Sequence, residues 1–264
     1  MDTTLNGARI HYERDGSGMP LIFLHEGVAD SRMWEPQVEA FARQFDVVRP
    51  DLRGFGQSEM LPGEWSPEDD LLALMDELRL KPAHLVGASM GGGLAIDFAL
   101  QHAERVSKLV LVGTAISGAN FGKDYPDLFK EITKADEAKD FEALNQAEMR
   151  LFLDGPRRPA GYVSDPRWRE LFLDMNGKTM SIDWEKSPPK QLDPPAAGRL
   201  HEITASTLVV VGDEDIPPIF DAADLLMQSL PHARKAVIHD AAHLPNLEHP
   251  DEFNRIVLEF LLED

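Results

Sequence analysis

The feature that most constrains the fold is a glycine-rich turn between an apolar strand and an apolar helix. An apolar segment at 84–86 leads through Gly-Ala-Ser-Met-Gly (87–91) into apolar residues with helical spacing at 94–100. This order predicts a buried strand, a sharp turn and a helix. A serine at the centre of such a turn has a cramped backbone, and glycines two residues away on each side leave room for it. We therefore expect the hydroxyl of Ser89 to be exposed at the carboxyl end of a central strand.

The same turn predicts a second chemical group. The backbone N–H of Met90 lies at the start of the helix, where the positive end of the helix dipole favours an oxyanion. An unactivated serine is a poor nucleophile, and it requires a histidine base held by a carboxylate. Ser89 and Met90 are thus a candidate nucleophile and a candidate oxyanion donor.

The segment resembles the nucleophile elbow of the α/β-hydrolase family. Further apolar segments alternate with helical patterns along the chain, which predicts a mostly parallel sheet with helices on both faces, the fold that the resemblance implies. A chain of 264 residues is long enough for one such domain. The chain resembles the branch that contains small serine esterases, enol-lactonases of the 3-oxoadipate type and cofactor-free perhydrolases.

Between residues 115 and 199 the alternation of strands and helices stops. Aromatic, proline and charged residues mix there, and helices are indicated at 128–132, 141–152 and 168–175. Because Trp168 and Trp184 need burial, a linker is disfavoured, whereas a subdomain that serves only stability stays possible. The family resemblance implies an inserted helical cap. We predict a core domain from 1–114 and 200–264, and a cap from 115–199.

The family order of nucleophile, acid and base places the acid in the loop after the strand at 208–212. That loop reads Gly-Asp-Glu-Asp, and its resemblance to a Gly-x-x-Asp pattern implies Asp215, with Asp213 as the alternative. In the loop after the last strand, Ala-Ala-His-Leu-Pro resembles the family's histidine loop and implies His243 as base, with His239 second. The predicted triad is Ser89, Asp215 and His243.

The second oxyanion donor is expected in the turn after the strand at 21–24. The family usually has His-Gly-x there, and the matching residues are His25-Glu26-Gly27, so Gly27 is the implied donor. Glu26 departs from the pattern, and an anion beside a forming oxyanion would oppose catalysis. We therefore predict that Glu26 points away from the pocket, into solvent or toward a cation. We interpret His25 as a hinge of the turn.

Substrate contacts are less specific. Trp34 follows the oxyanion turn and is a candidate for the pocket wall, although helix packing explains it as well. Arg157, with Arg158 beside it, could pair with a substrate carboxylate, but a solvated charge pair is the simpler reading. The loop at 51–58 resembles a structural signature of the family, and we assign it no chemistry.

The composition excludes several functions. A net charge of −20 argues against nucleic acid or an anionic membrane as a partner. The absence of cysteine excludes disulfides, a thiol nucleophile and thiolate metal sites. The first residues do not resemble a signal peptide, and no apolar run is long enough to span a bilayer. A cytoplasmic protein is expected, either a monomer or a dimer.

Together these features predict a serine hydrolase that cleaves small carboxylic esters or lactones through an acyl-enzyme. Its partner would be a small-molecule ester or lactone, with no metal or organic cofactor. Hydrolysis of a C–C bond in a diketone, perhydrolysis, and slow turnover by a ligand receptor are the alternatives. Haloalkane dehalogenases and epoxide hydrolases of this fold have aspartate at the elbow, so Ser89 argues against both.

Overall fold

A computed structural model describes residues 1–121 and 127–263. Its centre is an eight-stranded sheet in the order β1-β2-β4-β3-β5-β6-β7-β8. The strands are β1 (Asp2–Leu5), β2 (Ala8–Gly16), β3 (Met19–Leu24), β4 (Phe45–Pro50), β5 (Ala83–Ala88), β6 (Val106–Val112), β7 (Ser206–Gly212) and β8 (Ala233–Ile238).

The sheet begins with an antiparallel hairpin. β1 pairs with β2 in a register that places Leu5 opposite Ala8. Asn6 and Gly7 form the turn with φ angles of 47° and 86°. Two residues with positive φ match the twist of a tight hairpin, and Asn-Gly is the pair that adopts them most readily.

The remaining strands form the parallel part. β3 pairs in parallel with β4 and β5, and each strand from β5 to β8 pairs in parallel with the next. β5 is buried along its whole length, as expected for a strand covered on both faces. The predicted fold class is confirmed. The carboxyl ends of β3, β5, β6 and β7 therefore share one edge of the sheet.

Helices cover both faces. They are α1 (Glu35–Phe41), α2 (Pro67–Glu77), α3 (Met90–Gln101), α4 (Leu128–Glu137), α5 (Phe141–Phe152), α6 (Pro166–Thr179), α7 (Pro217–Ser229), α8 (Pro245–Glu248) and α9 (Pro250–Leu262). α2 begins as its sequence predicts, because the side chain of Ser66 accepts a hydrogen bond from the N–H of Asp69 and Pro67 occupies the first turn.

Three of these helices, α4 to α6, lie between β6 and β7, where the sequence predicts helices in the proposed cap. Phe172 and Met175 of α6 are buried. Trp184 behaves differently from the expected burial, since 41% of it is exposed and its ring packs against Phe55 with centroids 5.9 Å apart. Residues 122–126 of the predicted cap lie outside the described residues, and the division into core and cap stays a prediction.

Across the two described ranges, no helix has both the length and the apolar character needed to cross a membrane.

Candidate active site

The turn between β5 and α3 has the geometry that its glycines predict. Ser89 has φ 47° and ψ −109°, a strained conformation for a residue with a side chain. A Cβ atom on Gly87 would lie 2.3 Å from the carbonyl oxygen of Gly91, and one on Gly91 would lie 2.4 Å from that of Leu24. No other residue type fits at these two positions. Ser89 itself stays partly exposed at the end of its strand.

Asp215 and His243 form a buried pair. The Nδ1 atom of His243 lies 3.0 Å and 2.9 Å from the two carboxylate oxygens of Asp215. The side chain of His243 is only 4% exposed and that of Asp215 only 1%. Burial lowers the pKa of His243, but the carboxylates of Asp215 and Glu26 outweigh it and raise the pKa to about 9. Because Nδ1 donates to the carboxylate, Nε2 is the atom that could accept a proton.

This pair lies beside the elbow. The N–H of Ser89 donates to the carbonyl oxygen of Val112, the last residue of the neighbouring strand β6. A Cβ atom on the next residue, Gly113, would lie 3.1 Å from Nδ1 of His243 and 3.3 Å from a carboxylate oxygen of Asp215. The structure therefore brings the three residues of the predicted triad to the same edge of the sheet.

The turn after β3 lies against the first turn of α3. A Cβ atom on Gly27 would be 3.8 Å from the sulfur of Met90, so the two predicted oxyanion donors are neighbours. His25 is fully buried, with Nε2 accepting from the N–H of Leu52 and Nδ1 donating to the carbonyl oxygen of Glu26. Burial lowers the pKa of His25. Both ring nitrogens are used within the fold, which agrees with a hinge.

Glu26 does not reach solvent, and that part of its prediction is wrong. It is 1% exposed, and its Oε2 lies 3.8 Å from Nε2 of His243. The other part of the prediction is that Glu26 points toward a cation. His243 is such a cation only when its ring is protonated. Burial raises the pKa of Glu26 to about 7. The turn folds inward at Glu26 because its backbone is fixed by His25 and packed against α3.

The second-choice acid and base pair with each other at the surface. Oδ2 of Asp213 lies 2.8 Å from Nδ1 of His239, whose side chain is 82% exposed. Arg157, a predicted substrate contact, instead forms an exposed ion pair with Glu214 at 2.9 Å. Arg157 is therefore solvated, as the simpler interpretation predicts, whereas Arg158 beside it is buried.

Trp34, a candidate for the pocket wall, lies in the core instead. It is fully buried, with its ring 4.8 Å from that of Phe23 and 6.1 Å from that of Phe253. Helix packing, the alternative explanation, accounts for its position, because an indole at the amino end of α1 fills the space between the sheet and α9.

Arg158 has a role that the sequence did not indicate. Its guanidinium is buried and donates to Oε2 of Glu248 at 2.6 Å and to the carbonyl oxygens of Leu153 and Asp240. Oε1 of the same Glu248 accepts the N–H of Ala242, the residue before His243. Arg158 thus joins the inserted segment to the histidine loop. Nothing in an Arg-Arg pair signals which of the two is buried.

A cavity of about 380 Å³ opens beside Ser89. Its walls are mostly apolar and include Leu71, Leu74, Leu94, Ile116, Trp65 and Trp184. The loop at 51–58, to which the sequence analysis assigns no chemistry, also contributes to the wall through Leu52, Arg53 and Phe55. The glycine turns of this loop did not indicate that it would lie against the cavity.

The charged side chains of the cavity wall are mainly acidic. Arg53 is buried and forms two hydrogen bonds with the carboxylate of Asp70, at 2.7 Å and 2.8 Å. Burial raises the pKa of Glu68, and it raises that of Asp97 to about 6 although Ser117 donates to its carboxylate. Within residues 1–121 and 127–263, no cluster of His, Asp or Glu side chains is arranged to hold a metal ion.

Known proteins resemble the chain over nearly its whole length. A 2-hydroxy-6-oxo-6-phenylhexa-2,4-dienoate hydrolase of Burkholderia cepacia is 30% identical over 97% of this chain and 92% of its own. The enol-lactonase of Burkholderia xenovorans LB400 superposes with a TM-score of 0.80 at 27% identity, over 100% of both chains. A thermophilic esterase of Thermogutta terrifontis superposes with a TM-score of 0.77 at 25% identity, over 99% of this chain and 97% of its own.

A family model described as the alpha/beta hydrolase fold matches residues 19–250, which include the elbow, the acid loop and the histidine loop. Its match confirms the resemblance drawn from the elbow, and the chain belongs to the α/β-hydrolase fold family.

Proposed function

We propose that this hydrolase cleaves small, uncharged carboxylic esters or lactones through an acyl-enzyme. Nε2 of His243 takes the proton of Ser89 as its oxygen attacks the carbonyl carbon, and the N–H groups of Met90 and Gly27 stabilise the oxyanion. His243 then gives the proton to the leaving alkoxide. Water, deprotonated by the same imidazole, releases the acid and restores Ser89.

The observation that carries this proposal is the buried Asp215–His243 pair beside a strained, partly exposed serine. The two Nδ1 contacts of 2.9 Å and 3.0 Å hold the imidazole in the tautomer whose Nε2 can act as base. A carboxylate that accepts from Nδ1 also stabilises the imidazolium that forms during attack. These features support acyl transfer rather than ligand capture alone.

The charge of the cavity supports an uncharged substrate. The cavity opens beside Ser89, and its volume of about 380 Å³ is at the lower end for small-molecule sites. Arg53 is already neutralised by Asp70, whereas Glu68 and Asp97 add negative charge. Among the described residues of the wall, the other cation is Lys190, whose side chain is more than half exposed and lies 3.9 Å from Glu64.

Hydrolysis of a C–C bond is the second candidate. It is supported by the similarity to the Burkholderia cepacia hydrolase, whose substrate is a dienoate and therefore carries a carboxylate. That carboxylate would have to enter a cavity whose buried arginine is already paired. The cavity thus favours esters over dienoates.

A substrate panel with Ser89→Ala tests the proposal. We expect rapid hydrolysis of p-nitrophenyl acetate and butyrate or of a simple lactone, and loss of that activity in the variant. Hydrolysis of 2-hydroxy-6-oxo-6-phenylhexa-2,4-dienoate faster than every ester and lactone would transfer the assignment to C–C cleavage. Slow turnover together with a large ligand-induced rise in Tm would indicate a receptor.

A further inference from the structure

The carboxyl group of Glu26 has no hydrogen-bond partner in the described part of the chain. Both its oxygens are buried, and neither is within hydrogen-bonding distance of a donor. A buried carboxyl without a partner is strongly unfavourable when it is charged, and proteins rarely retain one without a use. The triad as proposed above gives Glu26 no role.

The position of Glu26 shows which group it faces. Its Oε2 lies 3.8 Å from Nε2 of His243, the atom that must accept the proton of Ser89. Asp215 contacts Nδ1 on the opposite side of the same ring. The imidazole is therefore placed between two carboxyl groups, and all three side chains are buried.

The remaining charged groups near this ring are already paired. Glu248 is the other carboxylate that acts on His243, and it is bound to Arg158 at 2.6 Å. His25, on the same turn as Glu26, uses both ring nitrogens for hydrogen bonds with the backbone. Among the described residues, Glu26 is thus the unpaired acid that faces the base.

We propose that Glu26 is a positioning residue that holds a proton on Nε2 of His243 and thereby sets the pH above which the imidazole can act as base. This inference rests on the proposed function, because it takes His243 as the base. Between about pH 7, where Glu26 loses its proton, and about pH 9, the Nε2–H of the imidazolium faces the carboxylate of Glu26. As pH rises, that proton leaves to solvent, and the freed lone pair of Nε2 can accept the proton of Ser89.

The direction of the effect follows from charge. Near an imidazolium, an anion favours the protonated ring and raises its pKa. Desolvation lowers the pKa of His243, and the carboxylates reverse that shift. Replacement of Glu26 by the uncharged, equally sized glutamine removes one of the two adjacent anions. The imidazole then loses its proton at a lower pH.

The rate of Ser89 labelling by a fluorophosphonate, measured against pH, tests this without a known substrate. In the unchanged protein we expect the midpoint of the acid limb well above 6.5, the ordinary pKa of histidine. In Glu26→Gln we expect it to fall by about one pH unit or more, so that labelling below the midpoint becomes about tenfold faster. Glu148→Gln is the matched control, since burial also raises the pKa of Glu148 but that residue does not line the cavity.

A midpoint near 6.5 in the unchanged protein, or the same midpoint in Glu26→Gln, would overturn the inference. If Glu26→Gln does not fold, ¹⁵N NMR of histidine in the unchanged protein decides, with the His243 signal assigned by its loss in His243→Gln. A ring that titrates near its ordinary pKa contradicts the role of Glu26. A raised midpoint in a protein that hydrolyses no ester or lactone would refute the proposed function and leave this inference standing.

Discussion

One end of the molecule contains the same kinds of ion pair twice, once buried and once exposed. Asp215–His243 and Arg158–Glu248 lie inside the fold, with every side chain at most 6% exposed. Each residue of Asp213–His239 and Arg157–Glu214 lies one to four residues along the chain from a residue of a buried pair, and all four side chains are at least 29% exposed. We call these the inner pairs and the outer pairs.

The contact distances of the two sets are alike, since both Asp–His pairs meet at 2.8 Å to 3.0 Å. The difference is solvent. Water screens the outer pairs, so each contributes little to stability. The inner pairs lie in a low-dielectric environment, where a carboxylate acts strongly on an imidazole and an unpaired charge is unfavourable.

The largest expected effect is on catalysis. Asp215→Asn removes the carboxylate that holds the tautomer of His243, and we expect kcat to fall by about 10³- to 10⁴-fold. Asp213→Asn is the matched outer variant, and its activity should stay within about twofold of the unchanged protein. Assays of both variants on the best ester of the panel provide the measurement. The reverse ranking would assign the acid to Asp213.

The next effect is on stability. Arg158→Met leaves the buried carboxylate of Glu248 without its cation and frees the N-terminal side of the histidine loop, so unfolding should become easier by about 3 to 5 kcal/mol. Arg157→Met should change the free energy of unfolding by at most about 1 kcal/mol. Urea titration of both variants measures these changes. Equal losses of unfolding free energy would show that the buried Arg158–Glu248 pair stabilises the fold no more than the exposed Arg157–Glu214 pair does.

A smaller effect is expected from pH. Burial raises the pKa values of Glu26 and Glu248 to about 7 and that of Asp97 to about 6. Each acid binds its proton more tightly in the folded state, so stability falls as pH rises from the unfolded values through these folded values. The raised pKa of His243 acts in the same direction, because its stabilisation is complete below 6.5 and is lost as pH rises through about 9.

We therefore expect the free energy of unfolding to decrease by about 2 kcal/mol or more between about pH 5 and about pH 8. Urea titrations across that range provide the measurement. The decrease should become smaller in Asp97→Asn and stay unchanged in His239→Gln, the outer control. A free energy of unfolding that rises toward about pH 8 would contradict the raised pKa values of the buried acids.

The smallest effect concerns the outer histidine. His239→Gln breaks the contact with Asp213 in a ring that is 82% exposed, and we expect a change in unfolding free energy too small to separate from error. The same small result is expected at low salt, where surface pairs are strongest. A loss of activity comparable to that of Asp215→Asn would show that the outer pair is coupled to the site.

Much of the fold could be predicted from the sequence, because its signals are local. Gly87 is required by a contact of 2.3 Å that a side chain would make with the carbonyl oxygen of Gly91, and Asn6-Gly7 is required by two positive φ angles. Such requirements act within a few residues. The roles of Asp215 and His243, in contrast, are predicted from the order of loops that the family resemblance implies.

The remaining features depend on contacts between distant parts of the chain. Glu26 reads as a surface charge, and only the packing of its turn against the elbow places it near His243. Arg157 and Arg158 are adjacent and identical in type, yet one is exposed and the other binds Glu248, 90 residues away. No local pattern separates them. Trp34 could line a pocket or fill the core, and its neighbour Phe253 lies on the last helix.

In the proposed mechanism, Ser89 is a nucleophile activated by the inner Asp–His pair. Rapid-quench mass spectrometry with p-nitrophenyl acetate tests it most directly. We expect an acetyl group on the peptide that contains Ser89, formed quickly in the unchanged protein, far more slowly in Asp215→Asn and not at all in Ser89→Ala. Ester hydrolysis that continues undiminished in Ser89→Ala, or an acetyl group found only on another residue, would contradict it.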